Sequence, residues 1–171
     1  MSKQWALITG ASAGLGQEFA RQLAAAGKDL VLVARRAEPM AALATELAAA
    51  HETEGRICTA DLAQPDAPAA LYEFTQQQNI EIDYLINNAG AVRDNLLLRM
   101  SVEDWDEVLA VNLRSIFLCT KAALRGMLKA RWGRVISMTS VSGLSGNPGQ
   151  ANYAAAKAGI VGFTKSVAKE V

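Results

Sequence analysis

Tyr153 and Lys157 stand four positions apart in a segment of helical pattern, so their side chains share one helix face. A phenol titrating at about 10 exchanges protons poorly at neutral pH, but an ammonium beside it stabilises the phenolate and lowers that value. A phenol tuned in this way can hand a proton to a carbonyl oxygen, which is general acid catalysis. Pairs of this kind are common on helices, so the surroundings decide between chemistry and ordinary helix surface. Ser140 lies thirteen residues upstream, just after an apolar run, where its hydroxyl can donate to the same oxygen. Asn112 falls in mid-helix, an unfavourable place for asparagine unless its amide has bonds to make. Asn87-Asn88-Ala89-Gly90 ends a strand-like run; its amides can tie strand ends together and its glycine leaves room beside them. The plain structural alternatives are a loop serine, a satisfied buried asparagine and a turn-forming NNAG.

Thr9-Gly10-Ala11-Ser12-Ala13-Gly14-Leu15-Gly16 joins the first apolar run to the first helical segment with the spacing G-x-x-x-G-x-G. Gly10 suits a tight turn, Gly14 lets backbone approach a pyrophosphate, and Gly16 lets the helix pack close to the strand. The free N–H groups of that helix's first turn face the anion. The alternative is a bland glycine turn; the strand before it and the helix after it favour a dinucleotide. The next strand ends Val33-Ala34-Arg35-Arg36. A carboxylate there would accept from the ribose hydroxyl of NAD, whereas two guanidiniums offer charge and a fork for a 2′-phosphate. The expected cofactor is therefore NADP(H), with Arg35 as the contact and Arg36 equally readable as solvated charge. Asp61-Leu62 follows the third strand. The carboxylate reads either as an acceptor for the adenine amino group, with Leu62 as apolar contact, or as a turn aspartate. An oxidised nicotinamide is positive and would add to the lysine's effect on the phenol; Lys157 can also hold the nicotinamide ribose.

The elements that must position these residues alternate. Strand-like runs cover Gln4–Thr9, Asp29–Ala34, Arg56–Ala60, Ile82–Asn87 and Arg134–Thr139. Helical patterns cover Gly16–Ala26, Pro39–Ala50, Asp66–Gln78, a long stretch Val102–Ala130 broken once near Leu113, and Asn152–Val171. Ser101 and Asp104 form a capping box with Asp in place of Glu. Ser140–Gln150 is the one Gly/Ser/Pro-rich loop. Five strands alternating with five helices mean crossover connections and an α/β fold, a parallel sheet covered on both faces. Ligands on such sheets bind beyond the carboxyl ends of the strands, where every motif above falls.

Composition narrows the classes. The 171 residues are 51% hydrophobic and 20% charged, which suits one globular domain. Seventeen basic side chains balance seventeen acidic ones, which argues against a nucleic-acid binder. With His51 the sole histidine, no multi-histidine metal site is expected. Cys58 and Cys119 read as small buried hydrophobes of a reducing compartment. The start MSKQWALITG holds neither a signal-peptide core nor a membrane span, so the expectation is a soluble cytoplasmic protein that does not bind membranes.

In this order and spacing, TGASAGLG (Thr9–Gly16), NNAG (Asn87–Gly90), the mid-helix Asn112, Ser140 and YAAAK (Tyr153–Lys157) resemble the short-chain dehydrogenase/reductase family, from residue 4 to residue 171. The resemblance implies a Rossmann-type doubly wound parallel sheet in three layers, α/β/α. It implies a catalytic tetrad in which Tyr153 is the acid/base and Ser140 polarises the carbonyl. Lys157 would lower the phenol pKa and bind ribose, and Asn112 would anchor a water in the proton relay. It also implies cofactor contacts at Gly10, Ser12, Gly14, Leu15, Gly16, Asp61, Leu62, Asn88, Ala89, Gly90 and Val111. RDNLLLRM (Arg93–Met100) and GNPGQANYAAAKAGIVGFTKS (Gly146–Ser166) are most similar to the family's 3-oxoacyl-acyl-carrier-protein reductases, which use NADPH in fatty acid biosynthesis. On that footing the substrate is a small or carrier-bound acyl thioester and acyl carrier protein is a partner. Homodimers or homotetramers would pack through the long helix and the Tyr153 helix. Arg131 reads equally as part of a basic patch facing the carrier or as a solvated helix end. Relatives that reduce other ketones, including acetoacetyl-CoA, leave the substrate open, and a non-catalytic nucleotide-binding module is the reading of a different class.

Two features depart from the family's pattern. Ala13 stands where many NADP-using relatives carry Arg or Lys, which removes one phosphate contact. Family members continue past the Tyr/Lys helix with another strand, a substrate-covering loop and helix, and a last strand. The likeness therefore implies that residues 1–171 are a single domain incomplete on its C-terminal side, and it leaves the activity of this chain by itself open.

Overall fold

Apolar runs without polar alternation need cover on both faces; the central strands obtain most of it, while the edge strands stay partly exposed. A computed structural model describes residues 3–171; Met1 and Ser2, part of the start read above for targeting signals, lie outside them. The strands are β1 (Trp5–Thr9), β2 (Asp29–Ala34), β3 (Gly55–Thr59), β4 (Ile82–Asn87) and β5 (Arg134–Ser137), all parallel in the order β3-β2-β1-β4-β5. Strand alternation sorts the core. Ala6, Ile8, Leu30, Leu32 and Ile86 face α1 (Gly14–Ala25) and α2 (Ala37–His51), meeting Ala20, Ala24, Met40 and Leu43. Leu7, Val31, Val33 and Leu85 face the other way, onto Leu71 of α3 (Ala67–Gln77) and Cys119 and Met127 of α5 (Ser115–Ala130). Three layers result. All six β2 residues are buried, and each large aliphatic among them contributes about 1.5–3 kcal/mol of transfer free energy. Among the described residues, no helix is long and apolar enough to cross a membrane.

The second half departs from expectation in two places. The stretch read as one broken helix never leaves helical geometry. α4 (Val102–Leu109) passes into a π-helical turn (Ala110–Arg114) and then into α5. The site loop is not wholly irregular either. Ser140 Oγ accepts from the Ser142 N–H at 3.2 Å, and a short helix α6 (Ser142–Ser145) follows. Of the expected box at the start of α4, the serine cap forms: Ser101 Oγ accepts from the Asp104 N–H at 3.0 Å, while the Asp104 carboxylate accepts from the Ser101 hydroxyl at 2.8 Å and not from its backbone N–H. Last comes α7 (Ala151–Glu170), which packs on α6, α4 and the π turn. Gly159 of α7 packs against the Leu113 side chain of the turn; a Cβ there would lie 2.9 Å from a leucine methyl.

The order β3-β2-β1-β4-β5 places a switch point between β1 and β4, where crossovers run off in opposite directions. Side chains bind the two strand ends together there. Thr9 Oγ1 accepts from the backbone N–H groups of Asn88 and Ala89, both at 3.0 Å, and donates to the Ile86 carbonyl at 3.3 Å. Asn88 Nδ2 donates to the carbonyls of Thr9 at 3.0 Å and Gly10 at 3.4 Å. Thr9→Val keeps the shape and orphans the Ala89 donor, so it should cost about 1–3 kcal/mol of unfolding free energy in a denaturant titration. Thr9→Ser, which keeps the hydroxyl, should lose much less; equal losses would show that the methyl group matters and not the clasp.

Candidate functional site

Beyond the carboxyl ends of β1 to β4 lies a cleft of about 800 Å³. Its floor is the glycine loop. Gly10 has φ +70°, and a Cβ there would come 2.9 Å from the Ala89 Cα; Gly14 has φ +55°. A Cβ on Gly16 would overlap the Gly10 carbonyl, so only glycine lets α1 start this close to the turn. Of the residues named for cofactor contact, Gly10, Ser12 and Leu15 line the cleft at this end. Asn88, Ala89, Gly90 and Val111 line it on the β4 side, and Arg35, Asp61 and Leu62 at the far end. Gly14 and Gly16 do not line it; they shape the turn beneath. Tyr153 and Lys157 stand outside it as well.

Both arginines after β2 are exposed at the cleft, and neither enters an ion pair among the described residues. Asp61 makes the turn contact that one of its two readings expects. Its Oδ1 accepts from the Ala63 N–H at 3.1 Å, a turn contact, while the residue still borders the cleft. The positive backbone at the start of α1, the bare glycines and the guanidiniums at one end fit a dinucleotide carrying a 2′-phosphate. Among the lining residues that sequence reasoning missed are Arg93 and Glu107, which pair in a two-pronged contact at 2.9 and 2.8 Å. Their spacing of fourteen carried no periodic signal that could have joined them.

The phenol and ammonium do meet. Lys157 Nζ lies 5.6 Å from the centre of the Tyr153 ring. The residue as a whole is only 4% exposed, and Nζ donates to the Met138 carbonyl at 2.6 Å. Thr139 Oγ1 donates to the Lys157 carbonyl at 2.8 Å, so the segment before Ser140 is bonded to α7 twice. A Cβ on Gly143 would sit 2.7 Å from α7 backbone at Lys157 and Ala158, which brings the Ser140 loop onto the same turn. The Ser140 oxygen accepts from Ser142, and no acceptor takes its hydroxyl proton among the described residues. That proton remains free for a ligand.

Asn112 is fully buried in the π turn and does not bond to the other three side chains. Its Nδ2 donates to the Ala91 carbonyl at 2.8 Å and to the Val108 carbonyl, one turn back, at 2.9 Å. Competition of that kind for a helical carbonyl accompanies widened turns. The Asn112 Oδ1 has no protein partner, and a Cβ on Gly90 would lie 2.9 Å from it. A buried acceptor left open beside the cleft rim is an expensive feature unless a ligand or water uses it.

Burial disfavours the ammonium and pushes the Lys157 pKa below its ordinary value. Between the folded and unfolded values the folded state binds fewer protons, so this group's contribution to stability rises with pH. The difference in unfolding free energy between the protein and Lys157→Met should therefore move in favour of the protein as pH climbs towards 10.5, the ordinary lysine value. A difference that stays flat would mean that the ammonium is as well solvated folded as unfolded. Both thiols are unpaired; Cys119 is buried, which pushes its pKa up to about 12, while Cys58 is half-buried.

The short chain dehydrogenase family model matches residues 4–171. A 3-oxoacyl-acyl-carrier-protein reductase of Synechocystis sp. is 47% identical over 171 residues, 100% of this chain and 69% of that protein. The 3-oxoacyl-acyl-carrier-protein reductase FabG of Escherichia coli is 43% identical over 166 residues, 97% of this chain and 66% of that protein. Nodulation protein G of a Rhizobium species is also 43% identical over 166 residues, with the same coverage. The chain thus spans about two thirds of the length of these relatives. With a parallel α/β/α sheet, a glycine-floored cleft at the switch point and a family match over nearly every residue, the chain belongs to the short-chain dehydrogenase family.

Proposed function

We propose that this chain binds NADPH and carries the proton-transfer groups of a reductase acting on the 3-oxo group of acyl thioesters. The observation that carries the proposal is the buried Lys157 ammonium, held by the Met138 carbonyl against the Tyr153 ring, beside a cleft floored for a dinucleotide. When bound, the reduced dinucleotide supplies the hydride. Tyr153 donates the proton to the carbonyl oxygen, and Lys157 stabilises the phenolate that remains. Ser140 donates its free hydroxyl proton to the same oxygen. Asn112 offers its open Oδ1 to a water in the relay that returns a proton to Tyr153. Arg35 holds the 2′-phosphate, with Arg36 beside it.

The substrate class rests on relatives whose names specify 3-oxoacyl-acyl-carrier-protein reductase. Arg131, exposed where α5 ends in a left-handed turn at φ 53°, belongs to the same reading as a contact for an acidic carrier. So does self-association through α5 and α7, whose Phe117 and Phe163 rings meet edge to face at 6.3 Å.

Tyr153→Phe should lower kcat for NADPH-dependent reduction of an acetoacetyl thioester by about 10²–10⁴-fold, followed by NADPH absorbance. An unchanged rate would overturn the assignment of the acid. Replacing Arg35 and Arg36 together by alanine should lower kcat/KM for NADPH by about tenfold or more while sparing NADH. A parallel loss with both nucleotides would remove the 2′-phosphate from the account.

A further inference from the structure

Asn152 precedes the proposed acid, yet no motif singled it out. Its side chain is fully buried and every contact it makes is to backbone. Oδ1 accepts from the Tyr153 N–H at 2.7 Å; Nδ2 donates to the Arg93 carbonyl at 2.9 Å and the Asp104 carbonyl at 3.4 Å.

Each bond answers a need of the chain. The first turn of a helix leaves N–H groups without intrahelical partners, and at the start of α7 the first such bond runs from Ala154 to Gln150 at 2.7 Å. Gln150 gives no side-chain cap, because its amide is engaged with Asp94, Ser142 and Asn147. The Tyr153 N–H is therefore met from within the turn, by its neighbour. The other end of the same amide reaches the chain leaving β4. That chain also accepts from Asn112 Nδ2, two residues earlier at Ala91. Two buried amides, one from α7 and one from the π turn, thus grip a single stretch of backbone, Ala91–Arg93. The third bond ties α7 to the first turn of α4, the helix that leads into the π turn.

We propose that Asn152 is a positioning residue for Tyr153: it sets the phenol's place relative to Asn112 by locking the first turn of α7 to the Ala91–Arg93 backbone and to α4. The inference rests on the reading of Tyr153 as the proton donor. Asn152→Asp separates the two halves of the device. It keeps the shape and an acceptor for the Tyr153 N–H, and it loses both donors.

The test combines kinetics with a signal that needs no turnover. Protein labelled with ¹³C at the tyrosine ring carbons gives signals from three tyrosines, and Tyr153→Phe assigns the one that matters. In the NADPH complex of Asn152→Asp, the Tyr153 signal should move while those of Tyr72 and Tyr84 stay. The value of kcat should fall by about 10–10²-fold with NADPH affinity at its wild-type level, because a small misplacement of a reacting group is read in the chemical step. Asn152→Ala should show the same split. An unmoved Tyr153 signal, an unchanged kcat, or affinity falling in step with kcat overturns the proposal, as does failure of both variants to fold. A wild-type protein without reductase turnover would refute the proposed activity alone, and the ring signal would then decide the role of Asn152.

Discussion

Burying an ammonium is unfavourable, and much of the site is arranged around that fact. Lys157 is a largely buried residue, and its ammonium keeps one protein oxygen, the Met138 carbonyl, as a close partner. That bond joins the chain leaving β5 to α7, and the Thr139 hydroxyl adds a second tie at the same turn. The same burial sets the ammonium over the Tyr153 ring, 5.6 Å from its centre. Without Gly143 the loop carrying Ser140 could not come so close to Lys157.

The dinucleotide cleft depends on a different constraint, close approach of backbone to backbone. Gly10 and Gly16 let the first turn of α1 fold back on the end of β1, and Asn88 fills the space that side chains there would have taken. Thr9 completes the arrangement by accepting from two N–H groups of the NNAG segment. The two halves of the site meet at Gly90, which borders the cleft and faces the open oxygen of Asn112. The strand order makes this meeting possible, since β1 and β4 are neighbours although more than seventy residues separate them.

Much of the fold was legible because its signals are local. β2 and β4 have the bounds expected of them, since each is centred on aliphatics buried in the core, Leu30–Val33 in β2 and Leu85 and Ile86 in β4. The cap at Ser101 was legible for the same reason: donor and acceptor lie three residues apart. The π turn was not. The helical pattern was expected to break near Leu113, but the turn widens without breaking, and the Asn112 amide bonds to Val108 within the helix and to Ala91 outside it. The Ser140 loop was read as irregular for a like reason, since the serine oxygen that starts α6 leaves no periodic pattern.

From residue types and spacing alone came the alternation of strands and helices, the glycine floor, the two guanidiniums and the shared face of Tyr153 and Lys157, all consequences of neighbours within a few positions. Tertiary structure decided what no short window contains. It joined Lys157 to the Met138 carbonyl, left one oxygen of Asn112 open, paired Arg93 with Glu107 and tied Asn152 to two distant backbones. Those contacts arise only when β1, β4 and α7 converge, because burial selects hydrogen-bond partners by position in space and not by distance along the chain.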